Sequence, residues 1–156
     1  GKTFATVDLN VALDAALDNL QLPIEENNAT IVREPLPLVP ADATQICQLF
    51  QNLIGNAIKY RGPADPVIRV AAEHRAGAWV VSVADNGPGI PPQHHERIFR
   101  MFQRLHADRG QQGAGIGLSF CKRIAERHGG RIWVESEEGR GSTFYCTLPD
   151  AQEGPA

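Results

Sequence analysis

The residues best suited to chemistry are Asp85-Asn86-Gly87-Pro88-Gly89-Ile90, a carboxylate and two glycines directly after an alternating apolar run. In that run Trp79, Val81 and Val83 share one face, and a period of two puts Asp85 on the same face. Val80 lies on the other, so the sequence leaves open which face packs on the helices. A carboxylate at the edge of a core is costly unless a donor meets it. The exocyclic amine of adenine is such a donor, and Gly87 and Gly89 strip side chains from the approach of a flat ligand. A surface Asp-Asn-Gly turn would use the same residues with no ligand.

A second cluster, Gly113-Ala114-Gly115-Ile116-Gly117-Leu118, leads from a polar stretch into a helical pattern. Successive bare N–H groups at a helix start suit phosphates, although the same residues would also serve as a plain hinge. The spacing is not Gly-x-Gly-x-x-Gly after a strand, and the only Gly-Lys pair is Gly1-Lys2, so no Walker A loop is present. The third group is Asn52, Asn56 and Lys59, which fall on one flank of a helix at steps of four and three. Asn is a poor residue for a helix interior. Amide oxygens can ligate Mg²⁺, which otherwise keeps water and borrows phosphate oxygens, and Lys59 adds a point charge for a phosphate. A solvated polar flank is the plainer alternative.

The elements that must position these groups are legible. Asp8 or Asn10 caps a helix with apolar positions Leu9, Leu13, Ala16, Leu17 and Leu20. Residues 30–32 and 36–39 read as short extended pieces confined by Pro35, Pro37 and Pro40. Asp42 opens the clearest helix, about 43–60, with a stripe of Ile46, Leu49, Phe50, Leu53, Ile54, Ala57 and Ile58. Residues 67–73 and 79–84 alternate as paired strands about Ala76-Gly77, and 95–102 reads as a short helix. Residues 103–115 are polar, without periodicity, and read as a mobile loop. Residues 118–128 form a helix stopped by Gly129-Gly130, and 131–136 with 142–148 form a last hairpin turned near Glu138-Gly139. The expected class is α+β: helices packed on one face of a mixed, mostly antiparallel sheet.

Composition narrows the function. A chain of 156 residues, 42% apolar and 21% charged, suits one globular core. Fifteen Lys and Arg against 18 Asp and Glu give a net charge of −3, which offers no general electrostatic case for nucleic acid. The longest uncharged run, 43–58, is broken by Gln and Asn and holds no membrane span, and no signal peptide is visible. Cys47, Cys121 and Cys146 form no Cys-x-x-Cys and read as reduced, buried thiols of a cytoplasmic protein.

Taken in order, these groups resemble the ATP-binding catalytic domain of bacterial sensor histidine kinases, from about residue 7 to 148. Asn52-Leu53-Ile54-Gly55-Asn56-Ala57-Ile58-Lys59-Tyr60 is similar to the family's N box, and 85–90 to its first glycine box. Ile98-Phe99-Arg100-Met101-Phe102 is similar to its F box, and 113–118 to its second glycine box. The resemblance implies a two-layer α/β sandwich of Bergerat (GHKL) type with a mobile ATP lid, binding ATP and Mg²⁺. One catalytic domain is expected over 1–149, and residues 150–156 read as a disordered tail. Asp85 would hold the adenine amine, Thr143 would support it, and Gly87, Gly89 and Ile90 would line the nucleotide. Asn56 would be the main Mg²⁺ ligand with Asn52 beside it, and Lys59 and Tyr60 would touch phosphates or ribose. Gly113, Ala114, Gly115, Ile116, Gly117 and Leu118 would meet the triphosphate. Arg104, followed by Leu105, matches an Arg that reaches the transferred phosphate, with His106 or Arg109 as alternatives. Asn56, Lys59 and Arg104 would thus be catalytic. The run Phe102-Gln103-Arg104-Leu105-His106 is also similar to lids of phytochrome-linked kinases.

Related gyrase-type, chaperone and mismatch-repair ATPases place a Glu four residues before the metal-binding Asn to activate water. Asn52 stands there in this chain, and neither Gln48 nor Gln51 is a base. Without a carboxylate to take the proton of water, hydrolysis loses a contribution of about 10²–10⁴-fold. The expected function is therefore transfer of the γ-phosphate to a histidine on a separate dimerisation and phosphoacceptor domain, with a response regulator downstream. A GHKL-type ATPase or a non-catalytic nucleotide-binding module is the alternative. His95-Glu96 copies the acceptor dipeptide but follows Pro91-Pro92 in a short segment beside the lid; His74 and His128 read as structural.

Overall fold

The computed structural model describes residues 4–100 and 114–150, with backbone alone for 114–116. Strands β1 (Ala5–Asp8) and β3 (Leu38–Ala41) pair antiparallel as a small separate sheet. The main sheet contains β2 (Thr30–Arg33), β4 (Val67–Arg75), β5 (Ala78–Asp85), β6 (Ile132–Glu137) and β7 (Gly141–Pro149). Their spatial order is β2-β4-β5-β7-β6, with β2–β4 parallel and the other pairs antiparallel. Helices α1 (Leu9–Asn19), α2 (Gln21–Glu26), α3 (Ala43–Lys59) and α4 (Ala114–Arg127) complete the chain.

Helix α3 forms where its caps and stripe direct it. The Asp42 carboxylate accepts the Gln45 N–H at 3.0 Å, and Lys59 occupies the last turn, where a cation complements the helix dipole. Ile46, Leu49, Phe50, Leu53, Ile54 and Ile58 are all buried, so one face of α3 is committed to the core between α1 and α4. Opposite them lie Ile68, Val70, Val81, Val83, Phe144, Cys146 and Leu148 of the sheet. Val81 and Val83 are 3% and 2% exposed, which settles that the β5 face carrying Asp85 is the one turned to the helices. His128 is fully buried at the end of α4. Its Nδ1 donates to the Ile124 carbonyl at 2.8 Å, and its Nε2 accepts the Asp42 N–H at 3.0 Å. The histidine thereby ties the end of α4 to the start of α3.

Several expectations need adjustment. The second extended piece lies two residues later than 36–39, because Leu36 N–H is taken by Asn10 Oδ1 and the Pro37 carbonyl by Leu9 N–H. The short helix at 95–102 is instead two 3-10 turns, Pro92–His94 and Arg97–Phe99. Pro91 holds the first turn's entry extended, and Arg100, at φ −77 and ψ 138, ends the second before an α-turn closes. Residues 101 and 102 of that helix, and 103–113 of the loop, lie outside the described residues. Helix α4 starts at Ala114 rather than 118, so Gly115 and Gly117 belong to its first turns. Burial of Leu118, Cys121, Ile124 and Ala125 against the rest of the core outweighs the poor helix propensity of two glycines. Asp150 is held in place: its N–H donates to Gly77 O and its carboxylate meets His74 at 2.6 Å. Cys47 is half-buried rather than buried, whereas Cys121 and Cys146 are sealed in the core.

Candidate functional site

Asp85 ends β5 at one end of the sandwich, half-buried. Its Oδ1 accepts the Gly87 N–H at 2.9 Å and the Ser142 N–H at 3.3 Å. Both donors converge on one oxygen, and Oδ2 takes no hydrogen bond from the described residues. Burial pushes the carboxyl above the ordinary Asp range, and the Gly87 and Ser142 backbone donors oppose that rise. The result is a desolvated carboxylate with one oxygen fixed and one oxygen open, a natural acceptor for an amine.

The loop after Asp85 is fastened on three sides. The Asn86 amide accepts the Val67 N–H at 2.9 Å and donates to the Asp65 carbonyl at 3.0 Å, pinning the loop to the start of β4. Gly139 N–H donates to Pro88 O at 2.7 Å, and Ile90 N–H donates to Ser136 Oγ at 2.6 Å. Gly89 has φ +82, and a Cβ there would run into the Glu137 carbonyl. Its missing side chain makes room for the β6–β7 hairpin, not for a ligand. Gly87 does face the interior of the site: a Cβ there would lie 3.1 Å from Asp85 Oδ1 and 3.6 Å from Tyr60 O.

Helix α3 forms the wall between the two glycine clusters. At its end, Tyr60 O backs the Gly87 loop. Further back, a Cβ at Gly117 would lie 3.9 Å from Asn52 Cγ, which places the first turns of α4 against this flank. Asn52, Asn56, Lys59 and Tyr60 therefore run from one glycine cluster to the other. Asn56 Nδ2 is buried without a hydrogen-bond partner. Amide nitrogen and oxygen exchange places by a rotation about the last torsion, so either atom can take this buried position. Asn52 also faces α4: its amide lies near the buried Cys121 thiol and opposes the rise that burial imposes on that thiol's pKa. Among the described residues no group of three or more His, Cys, Asp or Glu gathers. A divalent ion here would have to draw on amide oxygen, ligand phosphate and water, the set that Mg²⁺ accepts. Asn56 fits such an ion, and Asn52, one turn earlier on the same flank, offers a second amide oxygen.

Of the residues expected from sequence, Gly87 lies against Asp85 and Tyr60 O, Gly117 lies beside Asn52, and Ile90 is held by Ser136, whereas Thr143 is turned away from Asp85. On β7, Phe144, Cys146 and Leu148 face the core, so Ser142 shares their face and Thr143 points to the opposite side with Tyr145. Ser142, not Thr143, reaches Asp85. Counting back by two from Phe144 was the available signal, and Ser136 follows from the same parity, since it pairs with Ser142. Arg104, Leu105 and Gly113, with His106 and Arg109, lie outside the described residues, as do the side chains of Ala114 and Ile116. His95 Nε2 donates to the Ile90 carbonyl at 2.8 Å and so braces the same loop. In the F-box segment, Ile98 and Phe99 are buried, and Phe99 meets Phe144 edge-on at 5.9 Å.

Comparison with known proteins agrees with this geometry. Residues 41–152 match the family described as histidine kinase-, DNA gyrase B-, and HSP90-like ATPase. The chain is 52% identical over 146 residues to cyanobacterial phytochrome A of Nostoc sp., covering 94% of this chain and 19% of that protein. It is 42% identical over 153 residues to the adaptive-response sensory kinase SasA of Synechocystis sp., covering 96% of this chain and 39% of the relative. The chain thus spans well under half the length of these relatives. Among solved structures, the catalytic domain of histidine kinase ThkA superposes with a TM-score of 0.80 at 32% identity, covering 94% of this chain and 95% of that one. Full-length ShkA in complex with AMPPNP gives a TM-score of 0.80 at 30% identity, over 97% of this chain and 32% of ShkA.

Proposed function

The chain belongs to the histidine kinase-, DNA gyrase B-, and HSP90-like ATPase family, as a histidine kinase catalytic domain, and on that premise we propose that it binds Mg-ATP and donates the γ-phosphate to a histidine on a separate phosphoacceptor domain. The observation that carries the binding half is Asp85, whose open Oδ2 lies at a glycine-lined mouth while backbone donors hold Oδ1. An adenine amine donating to Oδ2 would relieve the desolvation that burial imposes on the carboxylate. From there the α3 flank leads a nucleotide past Tyr60 and Asn56 toward the first turn of α4, whose N–H groups and dipole favour phosphate.

Asn56 would hold Mg²⁺ through its amide oxygen, and Lys59 would meet a phosphate as a point charge. A bound Mg²⁺ neutralises charge on the β- and γ-phosphates. The protein's own contribution is orientation. Asp85 fixes the base, α3 fixes the direction of the triphosphate, and a supplied imidazole nitrogen attacks the γ-phosphorus as ADP leaves. Transfer rather than hydrolysis is favoured because α3 carries no carboxylate anywhere along its length. A response regulator would receive the phosphoryl group next; ThkA, a related kinase, is known in complex with the response regulator TrrA.

Titration of Mg-ATP while observing backbone amides tests the site. The account expects the largest shifts at Gly87, Ile90, Asn56 and Ser142. Saturable binding whose shifts fall elsewhere, such as on the outer face of β6, would contradict it.

A further inference from the structure

We propose that Ser136 is a positioning residue of the nucleotide site, acting through the loop that follows Asp85; the proposal rests on the functional reading above. Ser136 Oγ accepts the Ile90 N–H at 2.6 Å, lies 3.0 Å from Gly141 O as donor, and lies 2.8 Å from Ser142 Oγ. A hydroxyl has one proton and two lone pairs. All three contacts are satisfied at once in only one arrangement: Ser136 donates to Gly141 O and accepts from both Ile90 N–H and the Ser142 hydroxyl. Ser142 is then fixed, and its own N–H is the second donor to Asp85 Oδ1.

Every partner of this hydroxyl belongs to the mouth of the site. Ile90 closes the first glycine loop, and Gly141 and Ser142 open β7 beside Asp85. Two further facts show that the hairpin and loop are fitted to each other. Gly139 N–H holds Pro88 O, and a Cβ at Gly141 would run into the Asp85 carbonyl. The loop itself has no strand ladder beyond Asp85. Removing the Ser136 hydroxyl leaves the β6–β7 ladder intact, since the pairing of Ser136 with Ser142 is made by backbone. What is lost is the far anchor of the loop and the orientation of Ser142. The consequence belongs to adenine recognition rather than to the phosphates.

The test compares the chain with Ser136→Ala and Ser136→Thr in titrations with Mg-ATP and with adenosine, well below the unfolding midpoint. Ser136→Ala is expected to weaken both ligands to a similar extent, by roughly three- to tenfold, the range of one ordinary hydrogen bond. Ser136→Thr keeps the hydroxyl and is expected to restore both within about twofold. Unchanged affinities in Ser136→Ala, even with a lowered unfolding midpoint, would overturn the proposal and leave Ser136 a structural residue. A loss confined to Mg-ATP would overturn it as well. Should Ser136→Ala not fold, hydrogen exchange at Ile90 in the unaltered chain decides. The proposal expects slow exchange before any nucleotide is added, and fast exchange overturns it. Absence of nucleotide binding by the unaltered chain would strike at the functional reading itself, a different outcome from any of these.

Discussion

The proposed function gives Asp85 and Asn56 different roles, and two substitutions separate them. Asp85→Asn removes a charge-assisted acceptor, so adenine nucleotides should bind more weakly by roughly 1.5–3 kcal/mol, about ten- to a hundredfold in Kd. The same change should leave the nucleotide-free fold as stable or slightly more so. Burial raises the carboxyl's pKa in the folded chain, so the fold binds more protons than the unfolded chain between the two values. Stability then falls as pH rises through that interval, and at neutral pH the ionised Asp85 is a burden that Asn removes. Nucleotide affinity should run the opposite way, rising with pH as Asp85 ionises above the ordinary carboxylate range. Calorimetric titration over pH, beside thermal unfolding of both proteins, checks both signs. Asn56→Ala should weaken Mg-ATP while leaving adenosine nearly unchanged, because its buried, unpartnered amide lies beyond the base. Equal losses for both ligands would make Asn56 structural. The thiols offer a third check: burial pushes Cys121 and Cys146 up to about 12, whereas Cys47 is half-exposed. Native protein should therefore take up one equivalent of alkylating reagent, at Cys47.

At the scale of elements, the hairpin and the first glycine loop form one fitted unit, and glycines on its two sides should respond differently. Gly141 has φ +110, and a Cβ there meets the Asp85 backbone, which cannot give way. Gly141→Ala should cost about 3 kcal/mol or more of stability, read by denaturant unfolding. Gly87→Ala places a methyl 3.1 Å from the flexible Asp85 side chain. It should fold and bind nucleotide more weakly, as the carboxylate is pushed aside. The elements also show what the sequence makes legible. Capped, strongly periodic helices such as α3 and the alternating β4–β5 hairpin are specified locally, and their bounds are read within a residue or two. The start of α4 and the 3-10 turns near His95 depend on tertiary packing that outweighs local propensity. The family resemblance points to Thr143 in Gly-Ser-Thr-Phe, whereas the alternation that turns Val81 and Val83 to the helices assigns the contact with Asp85 to Ser142. Parity puts Ser136 on the core face, but its bond to Ile90 joins segments 46 residues apart and emerges only in the fold.

For the molecule as a whole, the first glycine loop, the α3 flank and the start of α4 adjoin one another among the described residues. The order of the motifs implies that they adjoin; the open oxygen of Asp85 and the unpartnered amide nitrogen of Asn56 emerge only in the fold. No helix among the described residues is long and apolar enough to cross a membrane. On the proposed function, a domain whose α3 carries no base for water, and that spans 19% of its phytochrome relative, would draw its acceptor histidine from another part of a kinase. The direct test is incubation of the chain with ATP labelled on the γ-phosphate, alone and with a phosphoacceptor hairpin supplied in trans, following both free phosphate and labelled protein. The account expects little phosphate release and no label on the chain alone, then slow labelling of the hairpin in an acid-labile, alkali-stable form that Asp85→Asn suppresses. Brisk phosphate release without a partner, or stable labelling of the chain itself at His95, would contradict it.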